Sequence, residues 1–325
     1  MGKRFLRSIA IANEDLPASA TIQPRDLPVN PLSFLLLRLQ ITRVNPTASL
    51  LYSAIDDVIT QITNVTIRHN GENIISGSLR DLMVLNMVYQ RAMPGWSLLN
   101  NDSGSIASLV FPICFGKRMY DPMSGFPATR RGALQFLLTA GADGAAYSDV
   151  NLSVEAVELI EETPSEYFKA TTLAATSVAG QFDMVLPIGN PLRGILMFDT
   201  GLGGSTDEVL SWGQVRLLKD NVEQMYGVSD FEVMASELHS QMGCMVGWPG
   251  HVHQLNAAGA GLENTDDAEQ LVNSGYQGYA FMDFDPLRDG YYELETAGAS
   301  NIVLRGVGDE ATAIRALPLE RVMVK

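Results

Sequence analysis

After Pro31 the chain alternates short apolar runs with turn-forming residues. Phe34-Leu35-Leu36-Leu37-Arg38-Leu39-Gln40-Ile41 opens as a continuous apolar run and ends in alternation, the pattern of a partly buried strand. Val58 to Ile67 is rich in Val, Ile and Thr, and Asn70-Gly71 follows at once, a tight-hairpin signal. Further strands are expected at Ala133–Leu138, Val150–Leu159, Phe182–Leu186, Leu192–Phe198, Val215–Leu218, Tyr276–Phe284, Ile302–Val307 and Ile314–Val324. Gly, Pro, Asn and Asp separate them throughout. Two stretches carry helical spacing instead. Leu79, Leu82, Met83, Leu85, Asn86 and Val88 follow Ser78 as a candidate N-cap, and Phe231, Met234, Leu238 and Met242 follow Ser229 or Asp230. No segment has the spacing of a βαβ unit, so the expected class is all-β, a sandwich or a barrel.

The first residues differ from the rest. Lys3, Arg4 and Arg7 stand among Phe5, Leu6, Ile9 and Ile11, and Pro17, Pro24, Pro28 and Pro31 then keep the chain extended. This predicts an extended N-terminal arm over 1–31. Its first twelve residues suit a membrane surface or an anionic interior through Lys3, Arg4, Phe5 and Arg7, or else a tail docked on its own protein. Ile9–Ala12 is too short an apolar core for a secretory signal.

Composition narrows the function classes. Lys+Arg 22 against Asp+Glu 37 leaves the chain at −15, which argues against a nucleic-acid-coating surface and predicts no direct sequence-specific contact with nucleic acid. Two cysteines, Cys114 and Cys244, make no disulfide framework. No run approaches the ~18–20 apolar residues of a spanning helix. Only 18% of residues are charged, below the ~25% of an average soluble domain. Uncharged stretches such as Ala170–Gln181 and Gln254–Leu262 fit surfaces buried against another subunit.

An internal repeat organises the chain. Asn30-Pro31-Leu32 and Asn190-Pro191-Leu192 each precede an apolar strand, 160 residues apart. Ile62–Asn70 is echoed by Trp212–Asp220 after 150 residues, and the two helical stretches follow these echoes at about the same interval. Tyr120-Asp121-Pro122 and Phe284-Asp285-Pro286 form a fourth pair, 164 residues apart. The reading is two copies of one β domain, each with a helix inserted, and each nearer in size to a jelly roll than to an immunoglobulin-like sandwich of ~100 residues. The expected domains are the arm at 1–31, a first roll at 32–165 and a second at 166–325.

Candidate chemistry is sparse. His251 and His253, two apart, could share a metal from one strand face. A cupin-type site needs a Glu four or five residues further on, where Ala257 and Ala258 stand, and a later histidine, which is missing. Glu263 is the nearest following Glu, and Cys244 could join only by a fold-back. Gly201–Thr206 lacks the Lys of a phosphate loop. Asp56-Asp57, Asp266-Asp267 and the trio Asp283, Asp285 and Asp289 offer oxygen ligands for Ca²⁺ without EF-hand spacing, and read as solvated acidic loops. Glu155, Glu158, Glu161 and Glu162 read as a solvent-facing strand edge. No catalytic residues, metal ligands or cofactor are therefore expected.

Three passages carry a resemblance. ITNVTIRHNGE at 62–72 with the helix after it, FPICFGKRMYDPMSGFPATRRGALQFLL at 111–138, and VLPIGNPLRGILMF at 185–198 resemble, in strand and turn pattern, the double jelly-roll major capsid proteins of tailless icosahedral viruses. The resemblance implies two tandem eight-stranded jelly rolls with short helix insertions. It also implies a homotrimer of six upright rolls that tiles a pseudo-hexagonal lattice in the virion, assembled in the host cytoplasm. Its implied partners are neighbouring capsomers, minor capsid or vertex proteins, and an internal membrane where the virus has one. Two other readings stand beside it: a cupin-like or glycan-acting enzyme on the same fold, and a glycan-binding module using Trp96, Trp212 and Trp248.

Overall fold

The computed structural model describes residues 4–44, 58–91, 94–98, 104, 106–142, 147–199, 212–242, 278–308 and 311–324. The described residues of Met1–Tyr167 belong to one compact unit, and those of Phe168–Cys244 and Gln277–Met323 to another, apart from the last two residues of the chain.

In the first unit, alternation sets the strands. β8 (Leu134–Ala140) buries Leu134, Phe136, Leu138 and Ala140 and leaves Gln135, Leu137 and Thr139 half-exposed, the period-2 pattern of a sheet with one face on the core. Each fully buried Phe or Leu of this kind contributes roughly 1.5–3 kcal/mol. β1 (Arg4–Asp15), β9 (Tyr147–Ile160), β3 (Leu32–Arg43), β7 (Ile106–Cys114) and β6 (Gly95–Leu98) lie side by side in that order. β5 (Glu72–Gly77), β4 (Ile62–His69), β8 and β2 (Thr21–Asp26) make a second antiparallel set. Val58–Gln61, expected as the start of a strand, is a helical turn. α1 (Leu79–Gln90) follows β5. Ser78 Oγ accepts from Asp81 N (3.1 Å) as its N-cap, and Arg91 ends it in the left-handed conformation.

The second unit repeats this order. β12 (Gly180–Val185), β18 (Ile302–Gly308) and β14 (Gln214–Lys219) form one sheet, with β15 (Val222–Glu223) and β16 (Ser229–Asp230) on β14. β17 (Tyr279–Asp283), β13 (Leu192–Asp199), β19 (Ala313–Met323) and β11 (Leu173–Thr176) pair in succession. β10 (Glu166–Thr171) precedes β11, and α2 (Phe231–Met242) follows β16. Ile195, Met197, Trp212, Leu217, Phe231, Phe284 and Leu304 pack into its core.

Strand pairing shows the duplication directly. β3 pairs with β7 and β9, and β13 with β17 and β19; β4 pairs with β5 and β8, and β14 with β15 and β18. Both hairpins turn on two residues at positive φ, Asn70-Gly71 (50° and 88°) and Asp220-Asn221 (51° and 64°), the primed turn that matches strand twist. The Asp-Pro echo does not belong to the repeat. Phe115 N donates to Ser33 O as Phe284 N donates to Arg193 O, so Phe284 corresponds to Phe115. Asp285 follows Phe284 directly, whereas Asp121 lies six residues beyond Phe115.

The segment expected as an extended arm, for an anionic surface or docked on its own protein, is a strand of the first roll. β1 pairs with β9 from Arg4↔Ile160 to Asp15↔Asn151 and forms the outer strand of its sheet. β11 has the same place on β19: Leu173 faces Ala316 as Ile11 faces Val154. The physical reason is the backbone ladder to β9, which satisfies the amide and carbonyl groups of β1, with Ile11 its buried apolar anchor.

Candidate functional site

The Asn-Pro-Leu repeats mark one structural device used twice. In each copy Pro holds the chain extended at the entry to a strand, and its carbonyl accepts from the neighbouring strand: Leu159 N to Pro31 O (2.7 Å) and Arg321 N to Pro191 O (2.8 Å). The preceding Asn then donates to a buried carboxylate, Asn30 Nδ2 to Glu158 Oε2 (2.6 Å) and Asn190 Nδ2 to Glu320 Oε2 (2.8 Å). Each Glu sits opposite the Leu of its repeat and is only 4% exposed. Ser8 Oγ donates to Glu158 as well. Glu158 is thus no member of a solvated edge, because a buried carboxylate is retained only where donors meet it. Glu155 and Glu161 do face outward and pair with arginines of β1: Arg7–Glu155 at 2.6 Å and Arg4–Glu161 at 3.9 Å.

The loop after β17 holds a group of linked charges. Asp285 is fully buried and accepts from Arg193 Nη1 (2.9 Å) and from Gly290 N (2.7 Å). Arg193, 1% exposed, also meets Glu293 at 2.5 Å, which in turn holds Arg321. The Arg193 guanidinium lies 5.4 Å from the Phe168 ring. Asp283 binds Arg288 (2.7 Å), and Asp289 accepts from Tyr291 N (2.9 Å). Of the trio expected as solvated acidic loops, or as oxygen ligands for Ca²⁺, Asp283 and Asp285 are therefore held in ion pairs, while Asp289 is exposed as expected. Arginine occupies the Asp283 and Asp285 carboxylates that a cation would need. Arg193 was the missed residue. Its signal was a lone charge inside LRGILMF, a run otherwise buried, which implies a buried partner.

Other candidates resolve as follows. His251, His253, Cys244, Glu263, Trp248, Gly201–Thr206, Asp56-Asp57, Asp266-Asp267 and Lys3 lie outside the described residues. Among the described residues no three His, Cys, Asp or Glu side chains gather as metal ligands, and no helix is long and apolar enough to cross a membrane. Trp212 is fully buried, its Nε1 donating to Phe198 O (3.1 Å), so it anchors the core and offers no sugar platform. Burial pushes the Cys114 thiol up, away from thiolate reactivity. On the surface, a bidentate pair from Arg305 holds the Asp183 carboxyl below its ordinary range. Hydrogen bonds from Ser300 and Asn301 do the same for Asp220.

What the surface does carry is apolar. Phe5 (55%), Leu6 (50%) and Ile9 (68%) stand exposed on β1, and Leu287, Tyr291 and Tyr292 on the loop after β17. Large exposed apolar side chains on strands and tethered loops are the material of protein interfaces. No protein-family model and no curated protein matches the sequence. Solved structures do match. The major capsid protein of Sulfolobus turreted icosahedral virus superimposes with a TM-score of 0.65 at 12% identity, over 98% of this chain and 97% of that one. The chain has the double jelly-roll capsid fold. The major capsid protein P2 of bacteriophage PM2 matches at 0.60 and 15% identity over 98% of both chains, and a chain of the PBCV-1 virus capsid at 0.58 and 9% over 98% and 94%. At such identities the likeness is one of fold, carried by strand order and not by shared side chains.

Proposed function

We propose that this double jelly roll is a viral major capsid protein, a structural subunit and not an enzyme. The observation that carries it is the strand-for-strand duplication, together with a near-full-length match to capsid proteins of three viruses. A duplicated roll lets three chains present six similar walls about one three-fold axis, so a homotrimer tiles a hexagonal lattice with its neighbouring capsomers. Low charge and exposed apolar strands support burial against other copies. Minor capsid or vertex proteins and an internal membrane belong to the same proposal as further partners, with assembly in the host cytoplasm. Within it the exposed Phe5, beside Arg4 and Arg7 and following Lys3, is a contact to the shell interior or to a neighbouring chain.

Size-exclusion chromatography with light scattering on the full chain tests the proposal. A species three times the 35.3 kDa subunit, forming hexagonal arrays or shells by negative-stain microscopy, is expected. A clean monomer at capsid-like concentration refutes it.

A further inference from the structure

The outward face of the β1–β9–β3–β7 sheet carries an open cleft of about 360 Å³. Leu36 and Val110 floor it, and Ile9 and Ala12 of β1 wall it. Arg38 reaches into it half-buried. Its Nη2 finds only the neutral oxygens Asn13 Oδ1 (3.3 Å) and Ser153 Oγ (3.4 Å), both at the long limit of a hydrogen bond. Its buried Nε has no hydrogen-bond partner among the described residues, and no described carboxylate pairs with it. Glu155, also in the cleft, is held by Arg7. The cleft therefore carries one uncompensated positive charge on an apolar floor. A buried guanidinium N–H without a partner is costly, so such groups are normally met.

The second roll shows how the same place is filled when it needs no outside partner. Arg38 sits opposite Val110 and Ser153. In the duplicate register Phe198 sits opposite Tyr279 and Arg315. There Arg315 lies 4.0 Å over the Phe198 ring, and Phe198 packs on Tyr279 with centroids 4.8 Å apart. The cation of the second roll is covered by an aromatic face of its own sheet. The cation of the first roll has short neighbours, a Ser and a Val, and no aromatic face covers it among the described residues.

From this contrast we infer that the cleft is a docking site for a carboxylate-bearing segment of a second copy of this chain, with Arg38 as its anchor. Charge complementarity selects the occupant: a chain with 37 acidic and 22 basic residues presents mostly carboxylates to an approaching copy. Exposed Phe5 and Ile9 lie on the same face of β1 as the cleft and supply an apolar rim. The inference rests on the capsid reading for the identity of the partner, and it adds which face is used and by which residue.

The test installs the second roll's solution in the first. Arg38→Phe with Ser153→Arg fills the cleft, and Arg38→Ala removes only the cation. Each full-length variant is checked for folding by circular dichroism and thermal melting. Assembly is then read by light scattering over a dilution series. Both variants are expected to fold and to raise the trimer dissociation constant at least tenfold, the filled cleft more than the emptied one. If folded variants assemble at wild-type concentrations, the docking site is refuted while the capsid reading stands. If the wild-type chain itself stays monomeric, the capsid reading fails. Flotation of the wild type with phosphatidylserine vesicles, lost in Arg38→Ala, overturns the inference in favour of a lipid headgroup.

Discussion

Replacing Asp285 by Ala removes one arm of the buried clamp around Arg193. Two losses follow. Arg193 Nη1 loses its 2.9 Å acceptor in a site where the guanidinium is 1% exposed, and Gly290 N loses its 2.7 Å acceptor. Breaking a buried pair by deleting one partner costs about 3–5 kcal/mol, because the remaining charge cannot regain its hydration. Glu293 stays within 2.5 Å of Arg193, which places the expected cost at the lower end, about 3 kcal/mol. At about 2–4 °C per kcal/mol for a unit of this size, melting should fall by about 6–12 °C. Scanning calorimetry of the full chain measures it, with Asp285→Asn as the control. The amide can still accept from Gly290 N and matches Asp in size, so it should lose less than the Ala variant. A melting point for Asp285→Ala within 2 °C of wild type, on the scale of ~2–4 °C per kcal/mol, refutes the clamp.

Three other outcomes follow from the same geometry. Asn30→Ala and Asn190→Ala each take a donor from a buried Glu, and each should cost about 1–3 kcal/mol in urea unfolding, with Asn→Asp worse because it sets two carboxylates together. Gly116→Ala places a Cβ 2.1 Å from the Ser124 carbonyl, a backbone atom that cannot swing away, so the first roll should lose about 1–3 kcal/mol while its circular dichroism stays β-rich. The pair Asp183–Arg305 lowers the folded-state pKa of Asp183, so its contribution is present above the ordinary aspartate range of ~3.9 and disappears as pH falls through the lower folded value. Asp183→Asn should therefore change stability by less than about 1 kcal/mol at neutral pH and shrink the acid-side loss between wild type and variant, read by melting curves from pH 7 down.

The sequence by itself determined the local elements and their repetition. Strand patterning placed β8, β9, β13, β18 and β19 within a few residues, because one-sided burial puts apolar residues at every second position of β8 and two-sided burial gives β13 a continuous apolar run. Asn70-Gly71 and Ser78 announced the hairpin and helix start because those backbone conformations admit few residue types. The repeated Asn-Pro-Leu was equally legible, and its reason is now visible in a donor aimed at a buried Glu. Tertiary structure alone decided the rest. Whether β1 was an arm for an anionic surface or a tail docked on its own protein was left open by the sequence, because nothing in its twelve residues names β9 as partner, and a ladder forms between backbones that any side chain can decorate. Asp285 looked solvated because its partner Arg193 lies 92 positions earlier in the chain. Arg38 and Phe198 occupy the same place in two copies of one fold. Only the register of the strands beside them shows that Phe198 covers a cation of its own sheet, Arg315, while Arg38 has Ser153 and Val110 as neighbours.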